Sequence, residues 1–310
     1  MTSRNAGCAA LALLAMLCAC GPAKVDLGQA DYAALALPTQ CAAAVPSGAS
    51  NEIATPGELR ISVRTPANYD ASLAHPLLVV YPAAGQNRHA SEKYLGLTRD
   101  ATARGFIVAY PDHRPLKLKT FDVLGEVPAT VAKNWCVDPR RVWLAGHSDG
   151  GTAASALVFL GKSSLPVTGI VASAAGLRAE DLRAYACPAP RSVMVIHGTK
   201  DKLFPPPQYG RDAAHWWGQC NRCESKTIAA NNGCIEYVGC APGTRTLFCE
   251  YDGGHARWPG MNGAMLDFAA ARFTLSTPAG AKMGAALGPA TNGARVKLRR
   301  WLGPESSGKH

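Results

Sequence analysis

Residues 142–160 read VWLAGHSDGGTAASALVFL. Val142 to Ala145 is a short apolar run of the kind a buried central strand carries, and Thr152 to Leu160 is a small-residue segment with helical character. Between them the chain must turn within Gly146-His147-Ser148-Asp149-Gly150-Gly151. A strand that turns abruptly into a helix lifts the residue at the turn, Ser148, on a strained backbone. A Cβ at position 146 or 150 would collide with neighbouring backbone, which is why both positions are glycine. The helix N-terminus behind Ser148 favours developing negative charge. A GxSxG string alone arises by chance in a Gly-rich chain. Between a strand and a helix it marks a nucleophilic serine.

Outward from this turn the chain alternates strand and helix patterns. Leu59–Thr65 alternates apolar and polar residues like an exposed strand, and 76–81 (PLLVVY) and 106–110 (FIVAY) read as buried strands. Residues 167–173, 192–197 and 246–251 are further strands, and 91–104, 122–135, 207–217 and 265–275 have helical spacing. This alternation predicts an α/β protein with a mostly parallel central sheet covered by helices on both faces. With the turn at Ser148, it predicts the α/β-hydrolase fold.

A serine is a weak nucleophile until a base takes its proton, and in this fold the acid and the histidine follow the serine on loops after later strands. After the strand ending at Ile196 comes His197-Gly198-Thr199-Lys200-Asp201. After the strand ending at Tyr251 comes Asp252-Gly253-Gly254-His255. Asp201 lies where ligands bind in such sheets, at a strand's C-terminal end, and the paired glycines let the second loop bring an imidazole to Ser148. His255 is therefore the expected base and Asp201 its orienting acid. His75, His89 and His113 precede the serine, the wrong order. His147 sits inside the turn, His197 stands close to its strand, His215 lies on a helix and His310 in the tail. Among the acids, Asp181 and Asp212 sit away from the strand end, and Asp252 adjoins the histidine loop.

An oxyanion needs two N–H donors. One is expected at Asp149, after the nucleophile, and the other at Ala83 or Ala84, in the loop Pro82-Ala83-Ala84-Gly85-Gln86-Asn87. Tyr81, Arg257 and Trp258 are candidate substrate contacts. Arg257 reads either as a solvated loop charge or as a contact for an acidic acyl group. Trp258 either packs its loop or stacks on an aromatic or sugar group.

The chain has 310 residues, 47% hydrophobic and 17% charged, which supports a sizeable core and excludes wholesale disorder. Of the net charge of +10, about half sits after Ser276, in a Gly/Ala/Pro-rich stretch that reads as a solvated, disordered basic tail. No nucleic-acid motif accompanies it.

At the other end, Cys8 to Ala19 is the short apolar run of an export signal, too short to span a membrane comfortably. It ends in Leu17-Cys18-Ala19-Cys20-Gly21, which resembles a bacterial lipobox. Cys20 would then be lipidated and anchor the chain to a membrane. The expected organisation is a signal over 1–19, a tether over 20–55, a catalytic domain over 56–275 and the tail over 276–310. The expected location is the outer membrane or cell surface, with the periplasm or medium as alternatives.

Of eleven cysteines, Cys8 and Cys18 leave with the signal and Cys20 takes the lipid. The remaining eight form an even set in an exported chain, which reads as disulfides. Cys220-Asn221-Arg222-Cys223 has CxxC spacing, but no second such pair follows, so disulfides are expected there rather than zinc.

Several of these motifs together resemble one family, the polyhydroxybutyrate depolymerase-like and feruloyl-esterase-like (LpqC-like) esterases. They are the elbow preceded by Val137-Asp138-Pro139-Arg140-Arg141-Val142, the acid loop Ile196 to Asp201, the loop Gly253 to Gly260, and Trp216-Trp217 leading to Cys223 and Cys240. The likeness covers residues 58–275. It implies hydrolysis of polyhydroxyalkanoate chains, of feruloyl or acetyl groups on polysaccharide, or of small acyl esters, with no cofactor. It also implies a Cys223–Cys240 bridge. Cys136 and Cys187, both just before strands, are expected to pair at one edge of the sheet, and the pairing among Cys41, Cys220, Cys234 and Cys249 stays open. Two departures stand out. Pro82-Ala83 replaces the family's His-Gly, and Asp149 places a carboxylate beside the expected oxyanion. The alternative reading is a lipid-anchored binding protein that retains the fold.

Overall fold

The computed structural model describes residues 25–31 and 50–270. In chain order the elements are β1 (Ser50–Ala54), β2 (Arg60–Arg64), β3 (His75–Tyr81), α1 (Arg88–Leu95), α2 (Thr98–Ala103), β4 (Ile107–Pro111), α3 (Thr120–Gly125), α4 (Val127–Asn134), β5 (Val137–His147), α5 (Asp149–Phe159), β6 (Gly169–Ser173), α6 (Ala179–Leu182), β7 (Ser192–Gly198), α7 (Asp212–Cys220), β8 (Thr227–Ala230), β9 (Cys234–Tyr237), β10 (Thr246–Tyr251) and α8 (Asn262–Ala270).

The strands form one sheet in the order β1-β2-β4-β3-β5-β6-β7-β10-β9-β8. The six from β4 to β10 run parallel, and antiparallel pairs close both edges. Side chains alternate between two cores, as the two-residue period of a strand requires. Leu77, Val79, Tyr81, Val142 and Leu144 face one layer, with Leu124, Val131, Leu157 and Trp217 of α3, α4, α5 and α7. Leu78, Val80, Trp143 and Ala145 face the other, with Leu95, Ala101, Leu266 and Phe268 of α1, α2 and α8. Among the described residues no helix is long and apolar enough to cross a membrane.

Several expectations change in detail. The helix expected over 91–104 is two, α1 and α2, because the chain leaves α1 at Gly96 with φ 58°. The one over 122–135 is likewise α3 and α4. The strand read as exposed, β2, is buried between β1 and β4. Its Arg64 is held by Glu92 at 2.8 Å and Glu52 at 3.4 Å. The tether expected over 20–55 ends in β1, which pairs with β2, and Gly28 and Ala30 hydrogen-bond to Thr102 and Asn68 of the domain. The tail after residue 275 and the segment around Cys20 lie outside the described residues.

The disulfides are Cys187–Cys220, Cys223–Cys240 and Cys234–Cys249. The Cys136–Cys187 pairing is therefore incorrect. β6 lies between β5 and β7, so residues entering those strands are about two strand spacings, roughly 10 Å, apart, beyond the reach of a disulfide. Cys187 instead meets the end of α7, and Cys136 is disulfide-bonded to a partner that is none of these six cysteines. Cys220 and Cys223 belong to two different bridges, which leaves neither thiol to a metal.

Candidate active site

β5 enters α5 through a single strained residue. Ser148 adopts φ 55° and ψ −119°, and its N–H donates to the Ser173 carbonyl at the end of β6, 2.9 Å away. The turn is packed against the ends of β3 and β6. A Cβ on Gly150 would overlap the Tyr81 carbonyl, and one on Gly151 would lie 2.8 Å from the Ser173 carbonyl oxygen. The glycines thus fix how closely α5 can approach the sheet.

His255 Nε2 lies 2.8 Å from Ser148 Oγ, and its Nδ1 lies 2.8 Å from Asp201 Oδ2. Asp201 is fully buried as a side chain. Its Oδ1 accepts the N–H groups of Leu203 at 2.9 Å and Phe204 at 2.8 Å, so one oxygen holds the loop and the other the imidazole. The acid and histidine loops are laced together by Thr199 N–H to Tyr251 O at 2.9 Å and Lys200 N–H to Gly253 O at 3.0 Å. Gly198 permits this contact, since a Cβ there would overlap the Gly253 carbonyl.

Two residues with no assigned role grip the histidine loop. His147 Nε2–H donates to the His255 carbonyl at 2.7 Å, and its Nδ1 accepts from the Ser173 hydroxyl at 3.0 Å. Burial pushes the His147 pKa down to about 4, which keeps the ring in that neutral tautomer. The Tyr94 hydroxyl donates to the Ala256 carbonyl at 3.0 Å. His197 is buried beside the acid. It donates from Nε2 to the Phe204 carbonyl at 2.8 Å, and burial lowers its pKa too.

A cleft of about 640 Å³ opens beside the serine, lined among others by His113, Leu116, Lys117, Asp149, Phe204 and Tyr209. Phe204 stacks on Tyr209 with ring centroids 4.9 Å apart and meets His255 edge-on at 4.9 Å. None of Phe204, Tyr209 or Lys117 carries a sequence motif. The signal that could have found them is the position of their loops, which follow the parallel strands β4 and β7. Asp149 stands at the start of α5, and Ala83 is half-buried while Ala84 is exposed on the facing loop.

The other candidates fall away from the cleft. Tyr81 is not a substrate contact: it is 1% exposed and donates to the Leu124 carbonyl at 2.9 Å, because its side chain points into the core layer under α3. Arg257 is exposed and donates to the Asp252 carbonyl at 3.0 Å. Trp258 donates from its indole to Asn262 at 2.7 Å and packs edge-on against His147, 5.9 Å between centroids.

The fold is that of the α/β-hydrolases. An acetyl xylan esterase from Aspergillus awamori superposes with a TM-score of 0.55 at 13% identity, over 72% of this chain and 99% of that one. Esterase 2 of Thermogutta terrifontis, phosphonylated by cyclosarin, gives 0.51 at 14% identity over 76% and 97%. An S-formylglutathione hydrolase from Staphylococcus aureus gives 0.50 at 14% over 74% and 99%. At these identities the likeness is one of fold. No protein-family model matches the chain, and no curated protein matches it in sequence.

Proposed function

We propose that the protein is a serine carboxylic ester hydrolase that works through an acyl-enzyme. The observation that carries this is the unbroken line Ser148 Oγ, His255 Nε2, His255 Nδ1, Asp201 Oδ2, with 2.8 Å at each hydrogen bond. His255 takes the Ser148 proton as Oγ attacks the ester carbonyl, and the buried Asp201 carboxylate holds the imidazole in the required tautomer and stabilises the imidazolium. The N–H of Asp149, with that of Ala83 or Ala84, receives the oxyanion. The alcohol leaves with the proton from His255. His255 then deprotonates a water that attacks the acyl-enzyme and frees Ser148.

Substrates in this reading are polyhydroxyalkanoate oligomers, feruloyl or acetyl esters of polysaccharide, or short acyl esters. The likeness in motifs to the depolymerase-like and feruloyl-esterase-like group supports that range, and the acetyl xylan esterase of the same fold adds acetylated xylan to the panel. The disulfides agree with an oxidising, exported setting. The lipobox-like run supports a membrane anchor through Cys20. A Cys20→Ala variant should then move from the membrane fraction to the soluble one and lose incorporation of labelled fatty acid.

The test of the chemistry is hydrolysis of p-nitrophenyl acetate and butyrate, methyl ferulate, acetylated xylan and hydroxybutyrate oligomers by the domain and its Ser148→Ala variant. Turnover and fluorophosphonate labelling that both vanish with Ser148 are expected. A folded protein with neither would leave the binding-protein reading in its place.

A further inference from the structure

We infer that His113 is a positioning residue of the oxyanion hole, binding its two sides together and offsetting the Asp149 carboxylate. The inference rests on the hydrolase reading above.

The residue after the nucleophile donates its N–H to the oxyanion, and here that residue carries its own negative charge a few ångströms away. A like charge at that distance opposes the charge that forms in the transition state. The structure supplies a partner. His113 Nε2 lies 3.0 Å from Asp149 Oδ2, so the ring donates Nε2–H to the carboxylate. Among the described residues it is the hydrogen-bond partner of that carboxylate. Of the cationic side chains lining the cleft, Arg178 is committed to Asp181 by bonds of 3.0 and 3.1 Å, and Lys117 is exposed.

The same residue reaches the opposite wall. The His113 N–H donates to the Gln86 carbonyl at 3.2 Å, and Gln86 N–H closes the turn back onto the Ala83 carbonyl at 3.1 Å. Its neighbour Asp112 takes the Arg88 N–H at 2.9 Å and the Arg88 guanidinium at 3.1 Å. The loop after β4 therefore fastens the loop that carries Ala83 and Ala84, while the imidazole tip holds the elbow. This pairing also accounts for the two departures at the site. Pro82-Ala83 has no glycine freedom to adapt to the oxyanion, so the loop is held from outside. Asp149 is tolerated because its charge is drawn onto His113.

The proposal predicts a specific non-additivity. His113→Ala should lower kcat on p-nitrophenyl butyrate by about ten- to a hundredfold with KM within about twofold, a loss on the scale of a damaged oxyanion hole. His113→Gln, which keeps an N–H donor, should recover part of that loss. In an Asp149→Asn background, where the backbone N–H remains and the charge is gone, the same His113→Ala change should cost less than about threefold. Circular dichroism and thermal unfolding confirm that each variant is folded. An equal loss in both backgrounds, or no loss in either, overturns the inference and leaves the esterase standing. If the parent enzyme shows neither Ser148-dependent turnover nor labelling, it is the hydrolase reading that fails.

Discussion

On the hydrolase reading, Ser148 depends on neighbours that are themselves held. Asp201 spends one oxygen on two backbone N–H groups and the other on His255, so its carboxylate cannot rotate away. Asp201→Asn would keep the shape but present an N–H where the imidazole needs an acceptor, and kcat should fall by about 10³- to 10⁴-fold with little change in melting temperature. His147 acts one step further out. It fixes the carbonyl of His255 through its Nε2–H, on a ring that burial keeps neutral, with the pKa pushed down to about 4. His147→Phe fills the same space without either hydrogen bond. The imidazole loop should then drift relative to Ser148, lowering kcat by about ten- to a hundredfold while KM stays within about twofold. Unchanged fluorophosphonate labelling rates in that variant would show that Tyr94 and the acid loop suffice.

Strand order decided what the chain could and could not reveal. The turn between β5 and α5 was legible because apolar run, paired glycines and small-residue helix coincide within twenty residues. Asp201 and His255 followed from their places after β7 and β10. The edge hairpin β8–β9 was not legible, since TIAA and CIEY are short and half-exposed and carry no apolar run. The Cys187 pairing depends on β6 lying between β5 and β7, which no local pattern states. His113 precedes the serine in the chain, the wrong order for a base, yet β4 and β5 both run parallel to β3 and so end on the same side of the sheet. The bridge Cys234–Cys249 joins directly opposed residues of β9 and β10, and β10 leads straight into the histidine loop. Replacing both cysteines by serine removes a cross-link of 15 residues, worth about 3 kcal/mol. Thermal unfolding should show a melting point lower by about 6–12 °C for a domain of this size. A shift under about 2 °C would mean that the sheet hydrogen bonds already fix that edge.

Buried histidines tie the stability of the entire domain to pH. His147 and His197 are neutral in the folded protein because burial lowers their pKa, His147 to about 4, whereas an unfolded histidine titrates near its ordinary value of 6.5. Above about pH 6.5 both states are neutral and stability is at its full level. As pH falls from there toward 4, the unfolded chain takes up protons that the folded chain refuses, so stability declines. For His147 the loss accumulates to about 3 kcal/mol by pH 4 and then stops, because the folded ring protonates there too. Carboxylates open a second, lower window. Burial raises the pKa of Asp138, but its bonds to Arg140 and Arg141 pull it below the usual range. Its stabilising contribution is present above the ordinary carboxylate pKa and disappears as pH drops beneath it. Urea unfolding at pH 7.5, 6, 5 and 4 should therefore show a steep decline that begins near pH 6.5, well above carboxylate titration. In His147→Phe the slope between pH 6.5 and 4 should be smaller, while the decline below pH 4 persists. The same slope in both proteins would mean that His147 is already charged in the fold, and that its grip on the His255 carbonyl does not depend on a neutral ring.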